Sequence, residues 1–428
     1  MNLFFDDFFK TFGKIGLLSF GGPAGQIALM HKILVDEKQW LDEKRFLHAL
    51  NFCMLLPGPE AMQLATYAGW MLRGVKGGLL AGLLFVLPGA LVILGLSMLY
   101  VYLGEVPLVA GLLFGLKAAV LAIVLQALFK VAKRALKGWE SLVLAVVALI
   151  ALAVFSVPFP IVIFAAGIIG AVFPSLFSHA PEPEVIERPV EPMKHVMRVL
   201  AGAALFWLLP LILLVFFITP NSVFAKEAAF FSKAAVVTFG GAYAVLAYVG
   251  QQAVDIYGWL RPDEMLAGLG LAETTPGPLI LILVFVGFVG AFRDAGLLDP
   301  LISGMLGAMV TLWVTFVPCF IWIFLGAPFV EVLRGNKILA GSLAAITAAV
   351  VGVIANLSIW FGAHVLFDEL TPRSVMGQVL GLPILTSLNL AAAAIAIVSA
   401  IFLFRGGGLA PLLIGSTIAG IGFHFLMI

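Results

Sequence analysis

The 26 residues from Gly78 to Leu103 contain no charged side chain, and the run from Val143 to Phe177 contains none either. Each exceeds the roughly 20 apolar residues that carry a helix across about 30 Å of hydrocarbon. Their apolar character extends around the helix without a period of two, so helices in lipid fit and a β-barrel does not. The chain is 62% hydrophobic and 11% charged over 428 residues, more apolar surface than a soluble fold could bury. The expected fold class is therefore an all-α polytopic membrane protein. Met1–Lys10 has no long apolar run ahead of a small-residue cleavage site, so no removable signal peptide is expected.

Hydropathy places about thirteen spans. They fall at 12–30, 46–72, 79–103, 107–130, 141–156, 160–177, 198–218, 230–250, 264–290, 299–326, 338–366, 380–404 and 409–427. The first is short and contains Gly21, Gly22 and Pro23, which also suits a re-entrant segment. Basic residues near the span ends, such as Arg73, Lys76, Lys130, Lys133, Arg134 and Lys137, favour a cytoplasmic N-terminus and an external C-terminus, with the mixed-charge segment 31–45 as the exception; the expected location is the cell (inner) membrane. Segment 178–192 is rich in Pro and Glu and reads as a solvated linker.

Self-comparison is the most informative step. Ser19-Phe-Gly-Gly22 recurs as Thr238-Phe-Gly-Gly241, Trp40-Leu41 as Trp259-Leu260, and Pro57-Gly-Pro59 as Pro276-Gly-Pro278. Phe12 and Lys14 recur as Phe231 and Lys233, and every pair shares one offset of 219 residues. The chain reads as a fused duplication: a first half at 1–177, a linker with one extra span at 178–228, and a second half at 229–428. An odd number of spans separates the two starts, so the second copy enters the membrane from the opposite side. Such inverted repeats place substrate sites between their halves near the midplane.

Each Pro-Gly-Pro should break its span into two half-helices, because proline removes a backbone donor and restricts the residue before it. A half-helix starting inside the membrane offers unpaired N–H groups and a positive dipole end, an anion site without a formal charge. Pro57, Gly58, Pro59, Pro276, Gly277 and Pro278 are candidate binding residues on this ground. Thr274 and Thr275 add hydroxyls before the second break. Ser19, Gly21, Gly22, Thr238, Gly240 and Gly241 place a hydroxyl and bare backbone at the Gly-Gly elements. A Gly-Gly pair alone also serves helix packing, and a lone proline a kink; two motifs, each present twice at one offset, favour a site.

Lys14 and Lys233 are candidates for attracting anions at opposite vestibules, with snorkelling to the interface as the plain alternative. Glu60 follows the first break and Glu273 precedes the second. Burial disfavours a carboxylate's charge, which makes both candidates for proton coupling; a first-turn dipole partner is the other reading of Glu60. Lys117 needs a partner or a water path. Cys53 and Cys319 lie in apolar stretches and read as small core residues. The six histidines show no metal-ligand spacing, and no nucleotide-binding or nucleophile motif is present. No enzyme, cofactor, metal or nucleic-acid partner is expected; the lipid bilayer is, and a homodimer is compatible with the architecture.

The stretches GLLSFGGPAGQIALMHKILVDEKQWL at 16–41, FLHALNFCMLLPGPEAMQLATYAGW at 46–70, VTFGGAYAVLAYVGQQAVDIYGWL at 237–260 and GLAETTPGPLI at 270–280 resemble the chromate ion transporter family in its long, two-domain form. The likeness covers essentially the whole chain. It implies export of chromate from the cytoplasm, driven by the proton-motive force, with sulfate as a chemically similar competitor. It also draws Gln63 into the site, beside Met62 where relatives are expected to carry a second Gln. Chromate and sulfate share charge and shape, so the residues leave a sulfate or other anion carrier, or an anion channel, open.

Overall fold

The computed structural model describes residues 4–177, 193–217, 222–239, 241–327, 336–375 and 378–427. Segment 178–192 and Gly240 therefore lie outside the described residues. Among the described residues, six helices are long and apolar enough to cross a membrane: Glu60–Leu103, Pro107–Ala135, Lys194–Leu214, Pro300–Gly326, Lys337–Leu366 and Leu409–Leu426. Four shorter apolar helices accompany them, at Trp139–Ala153, Phe159–Val172, Leu279–Arg293 and Leu390–Phe404.

The described residues fall into two compact units, and each draws on both sequence halves. The first comprises the described parts of Met1–Met98, Glu182–Ala242 and Thr275–Gly335. It begins with α1 (Phe5–Leu18) and α2 (Gly22–His31), a π-turn at Lys32–Glu37, α3 (Glu43–Cys53) and α4 (Glu60–Leu103, to Met98 in this unit). The stretch read as one span at 12–30 is thus two helices, neither long enough to span. The break falls at Gly21 and Gly22, whose φ values of 86° and 72° are left-handed and suited to glycine. The stretch at 46–72 is likewise divided, and α4 itself leaves helical geometry at Arg73 and Gly74.

Helices α5 to α8 (Pro107–Ala135, Trp139–Ala153, Phe159–Val172, Pro174–Phe177) belong to the second unit. The chain returns to the first unit with α9 (Met193–Ala203), a π-turn at Ala204–Leu208, α10 (Leu209–Phe217) and α11 (Val223–Val237). After Ala242, α12 (Ala242–Gln251) and α13 (Pro262–Glu273) lie in the second unit. A 3-10 turn at Leu279–Leu281, α14 (Ile282–Arg293) and α15 (Pro300–Gly326) complete the first. The second unit ends with α16 (Lys337–Leu366), α17 (Leu390–Phe404) and α18 (Leu409–Met427). Between α16 and α17 lies an antiparallel hairpin of β1 (Leu370–Val375) and β2 (Gln378–Pro383). This hairpin departs from an all-helical reading; it stands where a loop and the start of the span at 380–404 were expected.

The element order repeats at the offset seen in the sequence. Moved on by 219 residues, α1, α2, the first π-turn, α3 and the start of α4 fall on α11, α12, the π-turn at Gln252–Ile256, α13 and the 3-10 turn leading into α14. Helix starts are written locally. Asp42 accepts a hydrogen bond from the Arg45 N–H, and Asp299 from the Leu301 and Ile302 N–H groups. Small residues bring helices together: α14 and α15 meet at Gly287 and Gly307, and α5 and α18 at Gly115 and Gly420. Away from these contacts the helices present bare leucine, as at Leu83, Leu87 and Leu91 of α4, the face expected of a helix against lipid.

Candidate functional site

Both breaks in each half occur at glycines whose positive φ other residues rarely adopt. Gly58 has φ 124°, Gly277 has φ 91° and Gly241 has φ 101°. The two halves then exchange backbone hydrogen bonds. The Gly58 N–H donates to the Thr238 carbonyl at 2.8 Å, and the Gly277 N–H donates to the Ser19 carbonyl at 2.8 Å. These are the same contact written twice, since Gly58 and Gly277, and Ser19 and Thr238, are repeat mates. Each Pro-Gly-Pro loop is pinned by the Gly-Gly element of the opposite half.

The exchange gathers helix starts around one small pocket. Its lining comprises Pro23 and Gln26 of α2; Pro59, Glu60 and Ala61 at the start of α4; Gly241 and Ala242 at the start of α12; and Pro278 and Leu279 at the start of the turn into α14. Four element starts therefore line the same space, related in pairs by the repeat. The first N–H groups of a helix lack partners within it, and its first turn carries a partial positive charge. The pocket is about 10 Å³, room for roughly one water molecule.

Two glutamines brace the loops. Gln63 Nε2 donates to the Pro57 carbonyl at 2.7 Å. Gln26 Nε2 donates to the Gly277 carbonyl at 2.6 Å and to the Ser19 carbonyl at 3.3 Å. With their donors held there, both Oε1 atoms are buried without a partner among the described residues. Gln26 was not singled out in the sequence. The signal available was a polar side chain four residues past Gly22 in an apolar stretch, where the second half has Val245.

The other expected site residues divide. The Ser19 hydroxyl donates to the Ile15 carbonyl at 2.6 Å, and the Thr238 hydroxyl to the Ala234 carbonyl at 2.5 Å. Both hydroxyls thus close their own helix ends, and these residues reach the site through their carbonyls. Thr274 is exposed, its hydroxyl donating to the Leu271 carbonyl at 2.7 Å, and Thr275 is buried. Lys14 and Lys233 are exposed and do not line the pocket. Glu60 does line it. Glu273 lies in the second unit, where its Oε1 accepts from the Tyr243 hydroxyl at 2.7 Å. In the same unit Lys117 has the partner it requires, Asp263, at 3.2 Å. Cys53 and Cys319 are buried free thiols.

With this geometry in place, comparison with known proteins is decisive. Residues 7–171 and 225–423 match the family described as chromate transporter. The chain belongs to the chromate transporter family. It is 32% identical over 357 residues to a chromate transport protein of Pseudomonas aeruginosa, covering 82% of this chain and 79% of that protein. It is 28% identical over 362 residues to a probable chromate transport protein of Synechococcus elongatus, covering 84% of this chain and 85% of the other. An uncharacterized transporter of Bacillus subtilis is 28% identical over 165 residues, 38% of this chain but 93% of that protein. No solved structure matches the chain. Family membership and the apolar helices together make this a multi-pass membrane transporter and not an enzyme.

Proposed function

We propose that this member of the chromate transporter family exports chromate from the cytoplasm by alternating access, coupled to the proton-motive force. The observation that carries the reading is the crosswise exchange of Gly58 and Gly277 N–H bonds, with four helix starts gathered on the pocket it encloses. Each helix start presents roughly half a positive charge, so four offer about two, matched to a tetrahedral dianion without a lysine in the pocket. An oxyanion is larger than the present pocket, so this arrangement corresponds to a closed site. Opening it requires one Pro-Gly-Pro loop to move against the opposite Gly-Gly element. In a pair of halves inserted with opposite topology, such a movement exposes the site to one membrane face at a time.

Ser19, Gly21, Gly22, Pro57–Pro59, Gln63, Thr238, Gly241 and Thr275–Pro278 build the site in this reading, and Gln26 joins them. Lys14 and Lys233 act as outer attractors for the anion. Glu60, at the pocket, carries a proton when the dianion is bound and repels it when ionised; Glu273 is the second coupling candidate. The N-terminus is cytoplasmic and the membrane is the inner one.

Flux of labelled chromate in vesicles, with and without an imposed pH gradient, tests the reading. The expected result is accumulation that requires the gradient and is reduced by excess sulfate or molybdate to the extent that they share the site. Gradient-independent flux would identify a channel instead. Wild-type flux in the double variant Pro57→Ala, Pro276→Ala would overturn the broken-helix site.

A further inference from the structure

Glu227 of α11 is fully buried, and both of its carboxyl oxygens lack a hydrogen-bond partner among the described residues. A bare carboxylate in such surroundings is strongly unfavourable unless it is protonated or paired. Its repeat mate is Phe8, also fully buried. The fold thus accepts a hydrocarbon ring at the equivalent position, and packing alone does not require an acid here. Among the described residues, Asp294, just past the end of α14, is a charged group near enough to act on Glu227.

The carboxyl lies against α15. A β-carbon built on Gly307 would stand 2.9 Å from Glu227 Oε2, so this glycine leaves the space the carboxyl occupies. One and two turns further along the same i, i+4 ridge are Thr311 and Thr315, buried, with hydroxyl oxygens that also lack partners among the described residues. Threonine in a helix ordinarily returns its hydroxyl to the carbonyl four residues back; Thr66 of α4 does so, and these two do not. The next turn carries Cys319, whose thiol donates to the Thr315 carbonyl at 3.4 Å. A β-carbon on Gly58 would lie 3.0 Å from that sulfur. A ridge of polar side chains therefore runs along about 18 Å of helix, from the Glu227 carboxyl to the first Pro-Gly-Pro loop.

We infer that Glu227 is a proton-binding site of the transport cycle, joined to the Pro-Gly-Pro loop at Gly58 by the hydroxyls of Thr311 and Thr315. The inference rests on the proton-coupled reading above and adds the group that holds the proton. Glu227 alternates between acid and carboxylate: its O–H bond breaks as a bond forms to water or hydroxyl on the ridge, and the displaced proton leaves at the far end. No other group is oxidised or reduced. Positions i and i+4 of a helix stand about 5–6 Å apart, so a water between the two hydroxyls is the step that the inference adds to the ridge.

Purified protein in vesicles tests this with two readouts. Infrared difference spectra of wild type against Glu227→Gln at neutral pH should show a carboxylic-acid C=O band present in wild type and lost in the variant; superimposable spectra would overturn the inference. Chromate accumulation driven by a pH gradient should be lost in Glu227→Gln while exchange of labelled chromate without a gradient persists. Equal gradient-driven accumulation would also overturn it. Glu227→Asp, which keeps an acid, should keep coupling with a displaced pH profile, and serves if the Gln variant does not fold. If wild type moves no chromate, the transport reading falls by itself and the infrared band alone decides Glu227.

Discussion

Gly58→Ala perturbs the loop where backbone conformation and crowding act together. At φ 124° an alanine is strained, at about 1–3 kcal/mol. The new methyl would also stand 2.8 Å from Gln63 Nε2 and 3.0 Å from Cys319 Sγ. Gln63 is held by its bond to Pro57, and Cys319 sits in the middle of α15, so neither yields freely. Overpacking of this kind adds about 1–3 kcal/mol, and displacement of the Gly58 N–H from the Thr238 carbonyl adds about 1 kcal/mol. Gly21→Ala is the internal control. It too has a left-handed φ, at 86°, but its β-carbon would meet nothing within 4 Å, leaving only the strain. The protein supplies its own probe, because Cys53 and Cys319 are buried free thiols in this unit. A thiol-reactive fluorophore reports thermal unfolding in detergent as they become accessible. Gly58→Ala should melt below Gly21→Ala, and both below wild type. Equal melting of the two variants would refute the claim that the loop is closely packed against α15 and Gln63.

Further outcomes follow from the same structure. Gly277→Ala, at φ 91° and with its methyl 3.1 Å from a Leu281 methyl and 3.3 Å from the Phe85 carbonyl, should lower chromate flux alongside Gly58→Ala, measured in vesicles. Gly115→Val drives a side chain into the Ser416 carbonyl of α18 and should destabilise the second unit by about 1–3 kcal/mol, followed by fluorescence of Trp139 and Trp360. His31, hydrogen-bonded to Glu43 at 2.6 Å and near Asp36, has its pKa raised by the Glu43 bond despite partial burial. Its contribution, about 0.5 kcal/mol or less for so exposed a cluster, is present below the ordinary histidine value of 6.5 and lost as pH rises through the raised one. The melting difference between wild type and His31→Ala should therefore be larger at acid pH and vanish at alkaline pH.

Much of this was legible in the residues. Long apolar runs announce lipid, and proline with glycine announces the breaks, because both effects are local. The 219-residue offset carries over to the helices because each copy repeats the same local instructions. What composition and spacing do not announce is the partner of each loop. The bonds from Gly58 to Thr238 and from Gly277 to Ser19 are made by backbone atoms, which leave no side-chain signature. The Ser19 and Thr238 hydroxyls look available in sequence, yet each meets a carbonyl one turn back. Glu227 was missed because hydropathy starts the following span at residue 230, which reads the acid as part of a loop. The strands Leu370–Val375 and Gln378–Pro383 were missed because, among the described residues, they pair only with each other, beside segments whose apolar signal dominates.

The reciprocal loop exchange has a consequence for how such a chain can change. A single half cannot complete it and would need a second copy of itself, in which every substitution arrives twice. Joining the copies in one polypeptide frees each position to vary alone. Glu60 faces the pocket where its counterpart is Leu279, Gln26 braces a loop where its counterpart is Val245, and Glu227 replaces a phenylalanine. Two halves that differ in their chemistry can do different work, and fusion is what lets a protein built on a repeat acquire that difference.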